Sequence, residues 1–239
     1  MFDRSQNPAT ATTGAVAFDE GLRSHFRKVY NTMAIGLVVT GLVAMVASGV
    51  PAIATLFTKP MFAIIFAFLP MVAGMALFNG GALMNKSAAD LNGRFYIFSA
   101  IFGFCMTPIF LVYAGADLAR AFFITAATFA ATSIWSYTTK ADLSKFGGFL
   151  FMGVIGLMIA IVVNLFLQST MMDFIISCAG VLIYTGLVAF DTQNLKETYA
   201  QSYGDEANNK MAVMGALSLY MNFIMLFQFI LRLLSSNRN

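Results

Sequence analysis

The chain has 239 residues, of which 59% are hydrophobic and only 10% charged, with a formal net charge of +3. A mean hydropathy of +0.78 excludes an ordinary soluble domain, which needs more polar surface. One histidine, His25, and two distant cysteines, Cys105 and Cys178, offer no zinc or haem pattern and no disulfide framework, so no cofactor is expected.

Residues 1–28 are polar and rich in Thr and Ala, with no apolar core behind a basic start. They read as an N-terminal tail rather than a cleavable signal peptide. Seven apolar runs follow, near 29–50, 61–79, 95–115, 118–137, 148–168, 173–191 and 211–232. Each approaches the roughly 20 residues that a helix needs to cross a hydrocarbon core, and none alternates as a barrel strand would. The expected architecture is an all-α membrane protein, a seven-transmembrane-helix bundle over 29–235, closed by a short tail at 236–239. Pro51 and Pro60 bracket the first loop. The connector 80–94 is polar and opens on glycine, and Thr138 or Thr139 is placed to cap a short turn in 138–147. Loop 192–210 extends the sixth helix before a break near Gly204.

Charge sets the expected orientation and excludes a nucleic-acid reading. Ten of the 14 basic residues fall on one side: Arg4, Arg23, Arg27, Lys28, Lys86, Arg94, Lys140, Lys145, Lys196 and Lys210. The positive-inside rule puts that side, and the N-terminus, in the cytoplasm. A last segment that re-enters would move Arg232 and Arg238 to the same side. The 21 residues Met211–Leu231 also suffice for a full crossing of about 31 Å. Tyr30, Tyr96, Trp135 and Tyr137 stand as interfacial anchors at the basic ends and Tyr113 at an outer end.

Polar groups inside the spans carry the functional question, because charge there is expensive. Asp191 closes the sixth run, sharing a helix face with Tyr184 and Val188. It reads either as an intramembrane acid or as a helix-end carboxylate in headgroup water. Gly215, Ser218 and Asn222 form a small, polar stripe on the last span, while Tyr220, Ile224 and Gln228 lie on another face. A helix polar on several faces suits a position surrounded by protein. Asn164 ends the fifth span. Thr107-Pro108 interrupts the third, where the lost backbone donor predicts a kink. Tyr184, Ser218, Tyr220, Asn164, Thr107 and Pro108 are candidate pathway-lining residues. No nucleophile–base pair, phosphate loop or second acid accompanies them, so no enzyme is expected.

Four segments in order, TPIFLVYAGADLARAFFITAATFAATSIWSYTTKADLSKFG, FLFMGVIGLMIAIVVNLFL, YTGLVAFDTQNLK and GALSLYMNFIMLFQFILRLL, resemble the Bax inhibitor family over about residues 25–235. The resemblance implies six helices around a central seventh, in a bacterial inner membrane. It implies a proton-sensitive calcium leak, gated in several members by an aspartate at the end of the sixth helix and another in the last. It also implies, for some bacterial members, restraint of a membrane-embedded AAA protease of the FtsH type. Asp191 takes the first aspartate position. At the second, where the family reads LYLDF, this chain has Leu219-Tyr220-Met221-Asn222-Phe223. Two close carboxylates share a proton and titrate together; an Asp–Asn pair cannot. The expectation is therefore a leak channel whose proton gate is lost or moved to lower pH, with Ca2+ as permeant ion rather than cofactor. The alternative is a non-transporting modulator of such a protease in stress survival, using the tail Met1–Lys28 as its contact arm.

Overall fold

The structure is a computed structural model that describes residues 8–57, 59–200 and 203–236. Residues 1–7, with Arg4, and 237–239, with Arg238, lie outside the described residues. Helices account for nearly all the rest: α1 (Pro8–Ser48), α2 (Pro51–Phe57), α3 (Pro60–Leu77), α4 (Gly80–Asn85), α5 (Ala88–Cys105), α6 (Thr107–Val112), α7 (Gly115–Thr138), α8 (Gly147–Leu167), α9 (Thr170–Thr198) and α10 (Gly204–Ser236). A 3-10 turn, Ser144–Phe146, precedes α8. No strand occurs among the described residues, which is the all-α membrane architecture expected.

Six helical segments among the described residues are long and apolar enough to cross a membrane. The expected second span, α3, has 18 residues with Pro70 inside it, about 27 Å of helix. Its sequence is apolar along its whole length, and Phe68–Leu77 is the continuous apolar stretch among its described residues. Among the described residues, six of the seven expected spans meet that length and hydropathy.

Burial is inverted relative to a soluble protein, as lipid solvation demands. In the most apolar stretch of α8 only 6% of residues are buried, and Phe149, Phe151, Met158 and Phe166 point outward. In α10 the figure is 61%. The least uniformly apolar helices can therefore sit inside, and α10 packs against α1, α5, α7 and α9. Its centrality matches the expectation for the last helix.

Two boundaries differ from the sequence reading. The helix of the first span begins before residue 29, because α1 runs unbroken from Pro8. Leu22, His25 and Phe26 are buried, and the His25 ring lies 5.3 Å from that of Tyr199. The third span starts at Ala88 rather than near 95. Ser87 accepts from the Asp90 backbone N–H while Asp90 accepts from that of Ser87, a capping box that fixes the start.

Hydrogen bonds gather the basic loops at one end of the bundle. Lys28 Nζ donates to Asn209 Oδ1 at 2.8 Å, and the Ala88 N–H donates to Glu206 at 2.7 Å. The Leu143 N–H donates to Gln193 at 2.6 Å. In the connector 138–147 the Thr139 hydroxyl oxygen accepts from the Ala141 N–H at 3.2 Å, and the Asp142 carboxylate accepts from the Ser144 hydroxyl and N–H at the start of the turn 144–146. Those bonds, with Lys145 close by, hold the Asp142 carboxyl below the usual carboxylate range. At the opposite end Arg232 of α10 approaches Asp173, in the first turn of α9, at 4.0 Å. The last helix therefore runs alongside the whole of α9, from beyond its end to its beginning, and is long enough for a full crossing.

Thr107 and Pro108 make the expected break. Helix α5 stops at Cys105 and α6 resumes at Thr107, with Pro108 in its first turn. Proline supplies no N–H to the carbonyl four residues back, that of Phe104. The Thr107 hydroxyl takes that role, donating to Phe104 O at 2.6 Å. A little before the break, a Cβ on Gly103 would stand 2.5 Å from the Thr40 carbonyl oxygen, so glycine permits α1 and α5 to touch backbone to backbone.

Candidate functional site: the carboxylate between the last two helices

Helices α9 and α10 run antiparallel, and their seam can be followed level by level. Leu195 fills the place where Gly215 has no side chain. Next, the Asp191 carboxylate meets Ser218 and Asn222. Further on, Phe229 lies tilted against Tyr184 with centroids 5.7 Å apart, its ring pressed to Gly180. Asp173 and Arg232 close the far end.

At the second level Asn222 Nδ2 donates to Asp191 Oδ2 at 2.7 Å, and the Ser218 hydroxyl donates to the same oxygen. Ser218 and Asn222 are one helical turn apart, so both aim at one point. Asn222 is buried, whereas Asp191 is half-buried and Ser218 exposed. The access comes from a cavity of about 200 Å³ on the basic side, lined by Asp191, Asn194, Thr198, Met214, Gly215 and Ser218. Asp191 thus keeps carboxylate acceptor capacity beside a polar cavity.

The meeting depends on helix offset. Counted from the first apolar residue, Met211, Asn222 would lie too deep to reach Asp191. The helix starts earlier, at Gly204, whose φ of +77° only glycine adopts readily. The Asn208 side chain then donates to Ala200 O at 2.9 Å, so α10 is already past a turn long when it draws level with the end of α9.

Beyond Asp191 the seam is apolar and tight. Tyr184, Val188, Leu226 and Phe229 are all buried. A second polar cavity, about 320 Å³, lies past them and is lined by Asn164, Ser169, Asp173, Arg232 and Ser235 among others. Two polar cavities at opposite ends are therefore separated by an aromatic and aliphatic plug.

The other candidates fall in three places. Tyr184 belongs to the plug. Asn164 lies at the far cavity, where its side-chain oxygen accepts from the Ser169 N–H at 3.1 Å. Thr107 and Pro108 serve the α5–α6 break and do not reach the seam. Tyr220 faces the other side of α10, fully buried within a cage of Phe95, Phe98 and Phe102. Its hydroxyl is 2.6 Å from Thr40 Oγ1, which itself donates to the carbonyls of Gly36 and Ser99 at 2.9 Å. Threonine has one hydrogen to give, so the tyrosine is the donor of the pair. Sequence reasoning did not single out Asn194, Thr198 or Phe229. Asn194 and Thr198 follow Asp191 at i+3 and i+7, a spacing that marks their shared face.

Fold and site together define a multi-pass helical membrane protein with an acid held between its last two helices. The family model for the inhibitor of apoptosis-promoting Bax1 matches residues 22–239. An uncharacterized Caulobacter vibrioides protein is 41% identical, covering 93% of this chain and 92% of its own length. An uncharacterized Rickettsia prowazekii protein is 38% identical, covering 96% and 97%. The Escherichia coli inner membrane protein YbhL is also 38% identical, covering 91% and 94%. The chain belongs to the Bax inhibitor family.

Proposed function

We propose that this protein is a cation leak of the bacterial inner membrane, with calcium as its permeant ion and with a proton gate that the substitution at Asn222 has removed. The observation carrying this reading is the Asp191 carboxylate, placed between two helices at the floor of a polar cavity, with a second polar cavity in line beyond the Tyr184–Phe229 plug. An oxygen-ligand ion is served by such a carboxylate in transit. The seam is closed at the plug, so opening needs α9 and α10 to part there.

Loss of the gate rests on chemistry. A carboxylate pair is held shut or opened by one shared proton. Asn222 donates without titrating, so no second carboxylate is present to share a proton with Asp191. Orientation follows from charge and contacts. The loops of Lys28, Lys86, Lys140, Lys145, Lys196 and Lys210 gather at one end, which we assign to the cytoplasm. A relative named as an inner membrane protein supports the location.

Calcium uptake into proteoliposomes tests the pathway, comparing the native chain with Asp191→Asn. The reading predicts that native vesicles take up calcium and that the substitution abolishes it. Equal uptake by both excludes Asp191 from the path. No uptake by either turns attention to the alternative, restraint of a membrane-embedded AAA protease. For that role the part of the tail before Leu22 and the exposed face of the bundle are the candidate surfaces, since Leu22 and Phe26 are packed inside.

A further inference from the structure

A third polar cavity lies on another side of α10, away from Asp191. It measures about 480 Å³ and is walled by α1, α5 and α10, with Lys28, Asn31, Ile35, Asn92, Glu206 and Asn209 in its lining. Small-molecule sites commonly fall in this size range.

Its charges are arranged unusually. Lys28 and Glu206 face the same space, yet neither forms an ion pair among the described residues. Lys28 donates instead to the neutral amide oxygen of Asn209, and Glu206 accepts from the Ala88 backbone N–H. A cation and an anion that share a cavity without pairing are complementary to a zwitterion. Asn209 lies one turn beyond Glu206, so the two charges are anchored on the order of 5 Å apart along α10. A two-carbon linker between an ammonium and a phosphate spans such a gap. Asn92 Oδ1 is buried and has no hydrogen-bond partner among the described residues, which leaves it as a second acceptor.

The position of the cavity indicates what the zwitterion is attached to. Ile35 is exposed, and the exposed stripe continues along α1 through Val38, Leu42 and Met45. The site therefore opens onto the lipid-facing surface, at the end where the basic loops gather.

We propose that this cavity binds a phosphoethanolamine group, with the phosphate on Lys28 and the primary ammonium on Glu206 and Asn92, as the headgroup of a membrane phospholipid whose acyl chains follow the α1 stripe. A primary ammonium is required, since a trimethylated one has no N–H to give to Glu206 and Asn92.

The test is native mass spectrometry of the full chain, delipidated in detergent and titrated with phosphatidylethanolamine, phosphatidylcholine, phosphatidylglycerol or soluble O-phosphoethanolamine. The proposal expects phosphatidylethanolamine to bind about tenfold more tightly than the other two lipids, the difference of one charge-assisted hydrogen-bond set. Glu206→Gln retains an acceptor for Ala88 and should erase that preference. Lys28→Gln should weaken phosphatidylethanolamine binding to a similar degree, and it carries the test if Glu206→Gln fails to fold. Binding of soluble O-phosphoethanolamine as tight as that of the lipid would uphold the zwitterion site and overturn its assignment to lipid. Equal binding of the three lipids, or full binding by both variants, would overturn the site itself.

Discussion

Helix α10 presents buried polar groups on two faces, and the two differ in what they leave undone. On the α1–α5 face the Tyr220, Thr40 and Ser99 hydroxyls are enclosed and each is hydrogen-bonded. Three phenylalanine rings surround the tyrosine, and no cavity is needed to account for it. On the α9 face Asp191 receives two donors at one oxygen and opens to a cavity. Both are polar groups in a setting that penalises polarity. Satisfaction and access, rather than polarity, separate a packing device from a site at which ions or protons exchange.

The contrast can be broken by substitutions on either face. Phe229→Ala removes one of the two aromatic rings of the plug, and truncation of a buried phenylalanine costs about 3–5 kcal/mol in well-packed cores. It should lower thermal stability most and, alone among destabilising changes, raise calcium uptake. A leaky variant with unchanged stability, or an unstable one with no added flux, would place the barrier elsewhere. On the opposite face Gly103→Ala forces α1 and α5 apart at Thr40. Overpacking of this kind costs about 1–3 kcal/mol, and uptake should stay at the native level. Tyr220→Phe deletes one buried donor and should cost about 1 kcal/mol, again read as a lower melting temperature with flux unchanged. Altered flux in either variant would make the α1–α5 face part of the pathway. Asp191→Asn should move stability least, by under about 1 kcal/mol, because the amide oxygen still accepts from Ser218 and Asn222. Its expected signature is functional.

Much of this arrangement is legible in the sequence. The stripe Gly215, Ser218, Asn222 and the face Tyr184, Val188, Asp191 follow from helical spacing alone, and the structure turns each toward the other helix. The Thr107–Pro108 break follows from a missing N–H. Offsets between helices were harder to see. Helix α10 begins at Gly204, in a polar segment that apolar counting assigns to a loop, and its early start brings Asn222 level with Asp191. The same polarity hid the start of α5, where Ser87 and Asp90 mark the cap. It also put the start of the first helix at 29, although Leu22 and Phe26 already give α1 an inner face. The plug could not be read off, because Phe229 is one of 25 phenylalanines, and only its register against Gly180 and Tyr184 distinguishes it.

The central claim is that one residue, Asn222, separates this chain from a proton-gated leak. It is tested most directly by calcium flux into proteoliposomes across about pH 6 to 8, comparing the native chain with Asn222→Asp. The account predicts a native flux that does not change over this range and a variant whose flux becomes steeply pH-dependent as two carboxylates come to share a proton. A native chain already as pH-dependent as the variant would contradict it.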